Sequence, residues 1–181
     1  FRRVLFRSVT TGLHRCMLGR TVDEAHDALE LAGVVDGRHE AFALDAATVR
    51  VNGVLMRLAG IDAPEAPQSC SAGQGRGSYF CGIVARGVLV DLTMGQRLFC
   101  RIERRAGDER NFGTCGEANA AGAGIKEGAT SLNEQMISAG WAVADRTVNA
   151  YLDLQIEADR QNVGLWQGEF QTPQQWRQGY R

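Results

Sequence analysis

Apolar and polar residues alternate with a period of two from about residue 39 onward, which is typical of strands. The dipeptide Asn52-Gly53 lies between two apolar runs and predicts a tight hairpin turn. The second strand of that hairpin is expected to continue through Arg57. Two further strands are predicted, over residues 97–104 and 111–116.

Segments with helical spacing of apolar residues lie among these strands. Helices are predicted over residues 21–31, 83–92, 131–140 and 149–162. The stretches 66–80 and 118–130 are rich in glycine with serine or alanine, and are predicted to be loops. Strands followed by a helix, and then by further strands and helices, indicate an α+β fold rather than a wound parallel sheet.

The chain is interpreted as a short appendage followed by one domain. Residues 1–38 form the N-terminal appendage and linker, and residues 39–181 form the domain. Residues 1–8 resemble translated sequencing-adapter DNA, which raises the hypothesis that they are an artefact. Because the chain begins with Phe1, it is read as a fragment, and any targeting signal of the gene need not lie within it. No apolar run reaches the length of a transmembrane helix, so no membrane partner is predicted.

Composition limits the partners of the domain. The formal net charge of −1 excludes a globally basic protein, so a nucleic-acid partner would have to bind a local basic patch. The five cysteines and three histidines show no zinc-binding spacing. Cys16 lies in the appendage. The other four cysteines are expected either to pair, which favours an oxidising compartment, or to be buried as free thiols.

The stretch from Met56 to Glu65, MRLAGIDAPE, holds three residue types that phosphodiester chemistry needs. Arg57 can bind phosphate oxygens through its planar guanidinium. Asp62 suits a hard cation such as Ca²⁺, and Glu65 can accept a proton from water. A simpler interpretation is a helix start, in which Asp62 and Glu65 form a capping box around Pro64.

RLAGIDAPE resembles the strand-and-turn signature of the staphylococcal nuclease (thermonuclease-like) family. The similarity extends over roughly residues 39–181 and includes Gln68, Cys70, Tyr79 to Gly82, Asn133 to Ala144, Gly164 to Trp166, and Trp176-Arg177. It implies a five-stranded OB-type β-barrel with about three helices packed on it. It also implies a Ca²⁺-dependent endonuclease in which Arg57 and Glu65 are catalytic. Asp62 and the main-chain carbonyl of Ala63 would bind the metal, and a periplasmic or secreted location is expected.

The family has a second catalytic arginine, and two alignments place it differently. An alignment anchored on Cys115 puts Arg110 at that position, and this is the alignment we favour. Matching Phe112-Gly113 to the family's Tyr-Gly pair would put Thr114 there instead and lose the arginine.

The resemblance fails at one metal ligand. Where the family has a ligand aspartate, this chain has Ala47, which cannot bind a cation. Asp45 lies two residues away, about 6.6–6.8 Å along the same face of a regular strand. It is predicted to act only weakly, through water. Loss of a carboxylate ligand is expected to weaken Ca²⁺ binding and any nuclease activity.

Cys100 and Cys115 are predicted to face each other across an antiparallel hairpin. Continuing that register places Arg105 opposite Arg110 and leaves Gly107-Asp108 as a two-residue turn. The two cysteines are then expected to form a disulfide, or to remain as buried thiols at the same positions.

Two functions are consistent with these features. The leading hypothesis is a nuclease domain that hydrolyses DNA or RNA with little sequence preference. The alternative is a catalytically inactive module of the same fold that binds nucleic acid or serves as a scaffold. The protein is expected to be a monomer. Its tryptophans are expected to pack in or beside the core rather than to stack on bases.

Overall fold

The structure is a computed structural model that describes residues 42–105, 111–145, 147 and 149–179. The predicted helix over 21–31, the domain boundary at residue 38, Arg110 and the predicted Gly107-Asp108 turn lie outside these residues. Within the described ranges, no helix is both long and apolar enough to cross a membrane.

Nine strands are present in this part of the chain: β1 (Phe42–Ala43), β2 (Thr48–Val51), β3 (Val54–Leu58), β4 (Ile61–Asp62), β5 (Ser69–Ser71), β6 (Ser78–Phe80), β7 (Leu98–Arg105), β8 (Asn111–Glu117) and β9 (Val143–Ala144). One five-stranded sheet has the order β1-β2-β3-β8-β7. Its pairings are antiparallel except for β3 with β8, which is parallel. Two small antiparallel pairs, β4 with β9 and β5 with β6, lie outside it.

The described residues also form four α-helices: α1 (Cys81–Thr93), α2 (Leu132–Ser138), α3 (Leu152–Arg160) and α4 (Pro173–Arg177). The first three correspond to predicted helices, and the α+β class is confirmed. α2 begins with a capping box, in which the side chains of Ser131 and Glu134 each accept a hydrogen bond from the other residue's backbone N–H. The sequence patterns above do not predict α4.

The β2–β3 hairpin turns where the sequence predicts. Asn52 and Gly53 both have positive φ, 51° and 82°, as a type I′ turn requires. The stretch 66–80 is different, because the predicted loop contains the β5–β6 hairpin. Cys70 of that hairpin forms a disulfide with Cys81 at the start of α1, with the Cα atoms 5.6 Å apart.

The hydrophobic core is built from alternate residues of the sheet and from one face of each of the first two helices. Its largest fully buried members include Val49, Leu58, Leu89, Leu98, Leu132, Met136 and Ile137. In β3, Met56 and Leu58 are buried while Arg57 between them is half-buried on the opposite face. This alternation leaves Arg57 on the side of the sheet away from the core.

Asn133 of α2 is fully buried and connects that helix to the sheet. Its Nδ2 donates to the carbonyl oxygens of Ala59 at 2.8 Å and Gly113 at 3.2 Å. Its Oδ1 accepts from the N–H of Cys115 at 3.2 Å. One amide side chain therefore holds the end of β3 and the middle of β8 in place.

The predicted Cys100–Cys115 disulfide is confirmed. The two residues lie directly opposite each other, with Cα atoms 4.1 Å apart, close to the spacing of about 4.5 Å in a non-hydrogen-bonded pair. Beyond Glu103 the register changes by one residue, which marks a β-bulge. Arg105 therefore lies opposite Asn111, and the predicted pairing of Arg105 with Arg110 is wrong.

Candidate functional site

A cleft of about 1230 Å³ opens beside the Arg57 side of the sheet. Its walls come from β3, β4, β7, β8, β9 and the C-terminal helical segments. The charged residues that line it are Arg57, Asp62, Arg101, Glu103, Arg104, Asp145 and Arg177. Four arginines and three carboxylates make this a locally charged site in a chain of almost neutral net charge.

Arg57, Asp62, Glu65 and Arg177 form one ion-pair cluster, called here the Asp62 cluster. Arg57 Nη2 lies 3.2 Å from Asp62 Oδ1. Arg177 contacts both Asp62 oxygens, with Nη1 at 3.1 Å from Oδ1 and Nη2 at 2.5 Å from Oδ2. Arg177 Nη1 also lies 2.9 Å from Glu65 Oε1. The structure thus brings the predicted residues Arg57, Asp62 and Glu65 together.

The capping-box interpretation of Asp62 and Glu65 is wrong. Asp62 lies in β4, where it pairs with Val143, and no helix begins in the segment that follows it. Its carboxylate binds two guanidinium groups instead of a backbone N–H. Long-range ion pairing, which the local motif does not encode, decides the role of this turn.

Arg177 is the cluster residue that the sequence patterns miss. It belongs to the last turn of α4, which begins with a capping box between Thr172 and Gln175 and has Pro173 in its first turn. Threonine, then proline, with glutamine three residues after the threonine is a helix-start signal, and would have predicted α4. The Trp176-Arg177 motif also forms part of the family resemblance.

Gln68 and Gly82 fix the turn that carries Glu65. Gln68 is fully buried; its Nε2 donates to the carbonyl of Gln171 at 2.7 Å, and its backbone N–H donates to Glu65 O at 2.8 Å. A Cβ on Gly82 would lie 1.9 Å from Glu65 O, so α1 can begin this close to the turn only with glycine. Because Gln171 lies two residues before α4, Gln68 links the segments of Glu65 and Arg177.

β7 and β8, which continue the sheet beyond β3, form another part of the cleft lining. Arg101 lies opposite Thr114, and Arg104 lies opposite Phe112. The Cζ atom of Arg104 is 3.9 Å from the centroid of the Phe112 ring, which is a cation–π contact. The Thr114 hydroxyl donates to Glu103. Polar, cationic and aromatic groups therefore share this part of the lining.

Three groups of the cleft have shifted pKa values. Hydrogen bonding to Asp62 raises the pKa of Arg177, with a smaller contribution from Glu65, so this guanidinium stays charged. Burial raises the pKa of Tyr151. Hydrogen bonds from the backbone and side chain of Thr147 lower the pKa of Asp145.

The groups around Asp62 do not fit a calcium site as they are arranged. Ca²⁺ takes six to eight oxygen ligands, whereas both carboxylate oxygens of Asp62 are bound by guanidinium groups. The described part of the chain contains no group of three or more His, Cys, Asp or Glu residues that could hold a metal ion. Ala63, whose carbonyl was predicted as a ligand, is buried.

Asp45 and Ala47 lie in a bend between β1 and β2, so the predicted placement of both on one strand face is wrong. The Asp45 carboxylate accepts a hydrogen bond from the Ala47 N–H at 2.8 Å, a local turn that competes with strand pairing. Ala47 is 1% exposed and belongs to the core. Neither residue lines the cleft.

The second arginine of the resemblance remains a prediction, because Arg110 lies outside the described residues. Thr114, which the other alignment places at that position, lines the cleft together with Arg57 and Asp62.

Of the tryptophans, Trp141 packs against the core as predicted. Trp166 packs edge-on against Phe170, with ring centroids 5.1 Å apart, and also lines the cleft.

In comparisons with known proteins, no family model matches the chain, and no curated protein matches it.

Proposed function

We propose that the cleft binds the phosphodiester backbone of nucleic acids and that the domain hydrolyses it with little sequence preference. The observation that carries this proposal is that Arg57 and Glu65 lie in one cluster, beside a cleft that also contains Arg101 and Arg104. Neither Arg101 nor Arg104 forms an ion pair with a carboxylate within the described residues. Arginines without a carboxylate partner favour the binding of a polyanionic ligand.

In the proposed reaction a water oxygen bonds to phosphorus as the ester P–O bond breaks. Glu65 accepts the proton of the attacking water, and the departing oxygen takes a proton from solvent water to leave as a hydroxyl group. Arg177 contacts only Oε1 of Glu65, and Oε2 has no hydrogen bond within the described residues. That second oxygen is free to act as the base. Arg57 would stabilise the negative charge on the phosphoryl oxygens. No step is assigned to a metal, because arginines bind both oxygens of Asp62.

We also propose that the sheet belongs to an OB-type barrel. Counted along the chain, its five strands lie in the order 1-2-3-5-4. The first and fourth strands, β1 and β7, are therefore the edges of the described sheet, and pairing between these edges would close a barrel. The two disulfides favour an oxidising, extracytoplasmic location.

The test is digestion of plasmid and single-stranded DNA, each with Ca²⁺ and with a chelator. Glu65→Gln should lower the cleavage rate by about 10²–10⁴-fold, the usual contribution of a general base, without abolishing DNA binding. Glu127→Gln is a matched control, because Glu127 is exposed and does not line the cleft. Equal rates for Glu65→Gln and the unsubstituted protein would exclude Glu65 as the base.

A second candidate is a module that binds nucleic acid without cleaving it. Two observations favour it: Arg177 binds both carboxylates of the Asp62 cluster, and the expected ligand aspartate is replaced by Ala47. In the same assay, DNA binding with no cleavage under either condition would support this module and refute the nuclease.

A further inference from the structure

We infer that Arg101 supplies the second phosphate-binding cation of the cleft, the role that the family resemblance gives to Arg110. The inference rests on the proposed function. It identifies Arg101 as the residue that binds the nucleic-acid backbone alongside Arg57. Three features of β7 and β8 support it.

The first feature is the β-bulge at Glu103. In a regular strand, Arg101 and Arg104 would point to opposite faces, because side chains alternate along the strand. The extra residue resets this alternation. Arg101 therefore lies opposite Thr114 and Arg104 opposite Phe112, and all four line the cleft. The bulge therefore places Arg104 in the cleft lining together with Arg101.

The second feature is that the guanidinium of Arg101 has no ion-pair or cation–π partner among the described residues. Arg104 packs on the Phe112 ring, and the nearby Glu103 carboxylate accepts the hydroxyl of Thr114. Arg101 is exposed and forms no ion pair or cation–π contact within the described part of the chain. An exposed guanidinium without a carboxylate partner among the described residues can bind phosphate oxygens bidentately.

The third feature is the position of Arg101 relative to Arg57. β3 and β7 flank β8 on its two sides, and two strand spacings separate them by about 10 Å. Arg57 pairs with Phe112, and Phe112 is two residues from Thr114 on the same face of β8. A phosphodiester chain that crosses β8 would therefore contact Arg57 on one side and Arg101 on the other.

The experiment measures binding of a labelled single-stranded DNA oligomer by fluorescence polarisation, in chelator and at several salt concentrations. The full chain is compared with Arg101→Ala, Arg101→Lys, Arg110→Ala and Arg50→Ala. Arg50 is the matched control, an exposed arginine of β2 that does not line the cleft. Melting temperatures verify that each variant is folded.

Arg101→Ala should weaken binding about tenfold, as loss of one charge-assisted contact predicts. It should also reduce the slope of log affinity against log salt by about 0.7, the value for one phosphate contact with a single strand. Arg101→Lys should retain that slope, and Arg50→Ala should match the unsubstituted chain. A purely structural role for Arg101 would not change the salt slope.

The inference would be overturned if Arg101→Ala left both the DNA affinity and the salt slope unchanged. It would also be overturned if the salt slope fell only in Arg110→Ala. Either result would leave the nuclease proposal intact. Binding without cleavage would refute hydrolysis and leave the Arg101 contact standing. Absence of DNA binding by the unsubstituted chain would overturn both.

Discussion

Replacing Asn133 with alanine tests how the base of the cleft is held together. The change removes three hydrogen bonds at a fully buried position, two from Nδ2 and one to Oδ1. A protein hydrogen bond contributes about 1 kcal/mol net, and a buried polar group that loses its partner costs about 1–3 kcal/mol. Because the lost amide leaves two carbonyls and one N–H without this partner, we expect a loss of about 3–5 kcal/mol.

Urea unfolding followed by tryptophan fluorescence, with both disulfides intact, measures this loss in the free energy of unfolding. In a separate thermal unfolding experiment, the melting temperature should fall by roughly 6–20 °C, at about 2–4 °C per kcal/mol for a domain of this size. Ser138→Ala is the control, because Ser138 is exposed on the same helix and should change stability by no more than about 0.5 kcal/mol. A loss below about 1 kcal/mol in Asn133→Ala would show that water or a shifted backbone replaces the amide, and would refute the bridging role.

Two further predictions concern charged groups. Arg177→Gln removes the guanidinium shared by both carboxylates, so Ca²⁺ should bind more tightly in a calorimetric titration, and an unchanged titration would show that Arg177 does not limit access to them. Hydrogen bonds from Arg160, and then from Gln161, lower the pKa of Glu157 to about 2. Its contribution to stability should be complete above the unfolded value of about 4.5 and be lost as the pH falls towards 2. An NMR titration of the Glu157 carboxyl group that gives a midpoint above about 4 would refute this.

Elements that depend on local chemistry could be predicted from the sequence. Asn52-Gly53 determines its turn because both residues accept positive φ. The Ser131 capping box determines the start of α2 because its partners are three residues apart. The Cys100–Cys115 bridge could be predicted because the two cysteines lie directly opposite each other in the antiparallel pairing of β7 with β8.

Elements that depend on tertiary context could not be predicted in this way. The bulge at Glu103 changes a register that is otherwise regular, and nothing in the alternation of β7 marks it. Asp62 and Arg177 are 115 residues apart in sequence, so their ion pair exists only after the chain has folded. The hairpin over 69–80 has a composition typical of a loop, but its strands are fixed by the disulfide between Cys70 and Cys81.

The charges of the cleft favour an anion over a cation. A divalent metal needs several oxygen ligands that carry negative charge, and the position where the resemblance expects a second aspartate is occupied by Ala47, buried in the core. The Asp62 carboxylate already has Arg57 and Arg177 as partners, so it has little charge left to attract a metal. On β7 of the same sheet, Arg101 has no carboxylate partner among the described residues. A phosphate group should therefore gain more than Ca²⁺ from entering this cleft, and DNA binding should persist in chelator.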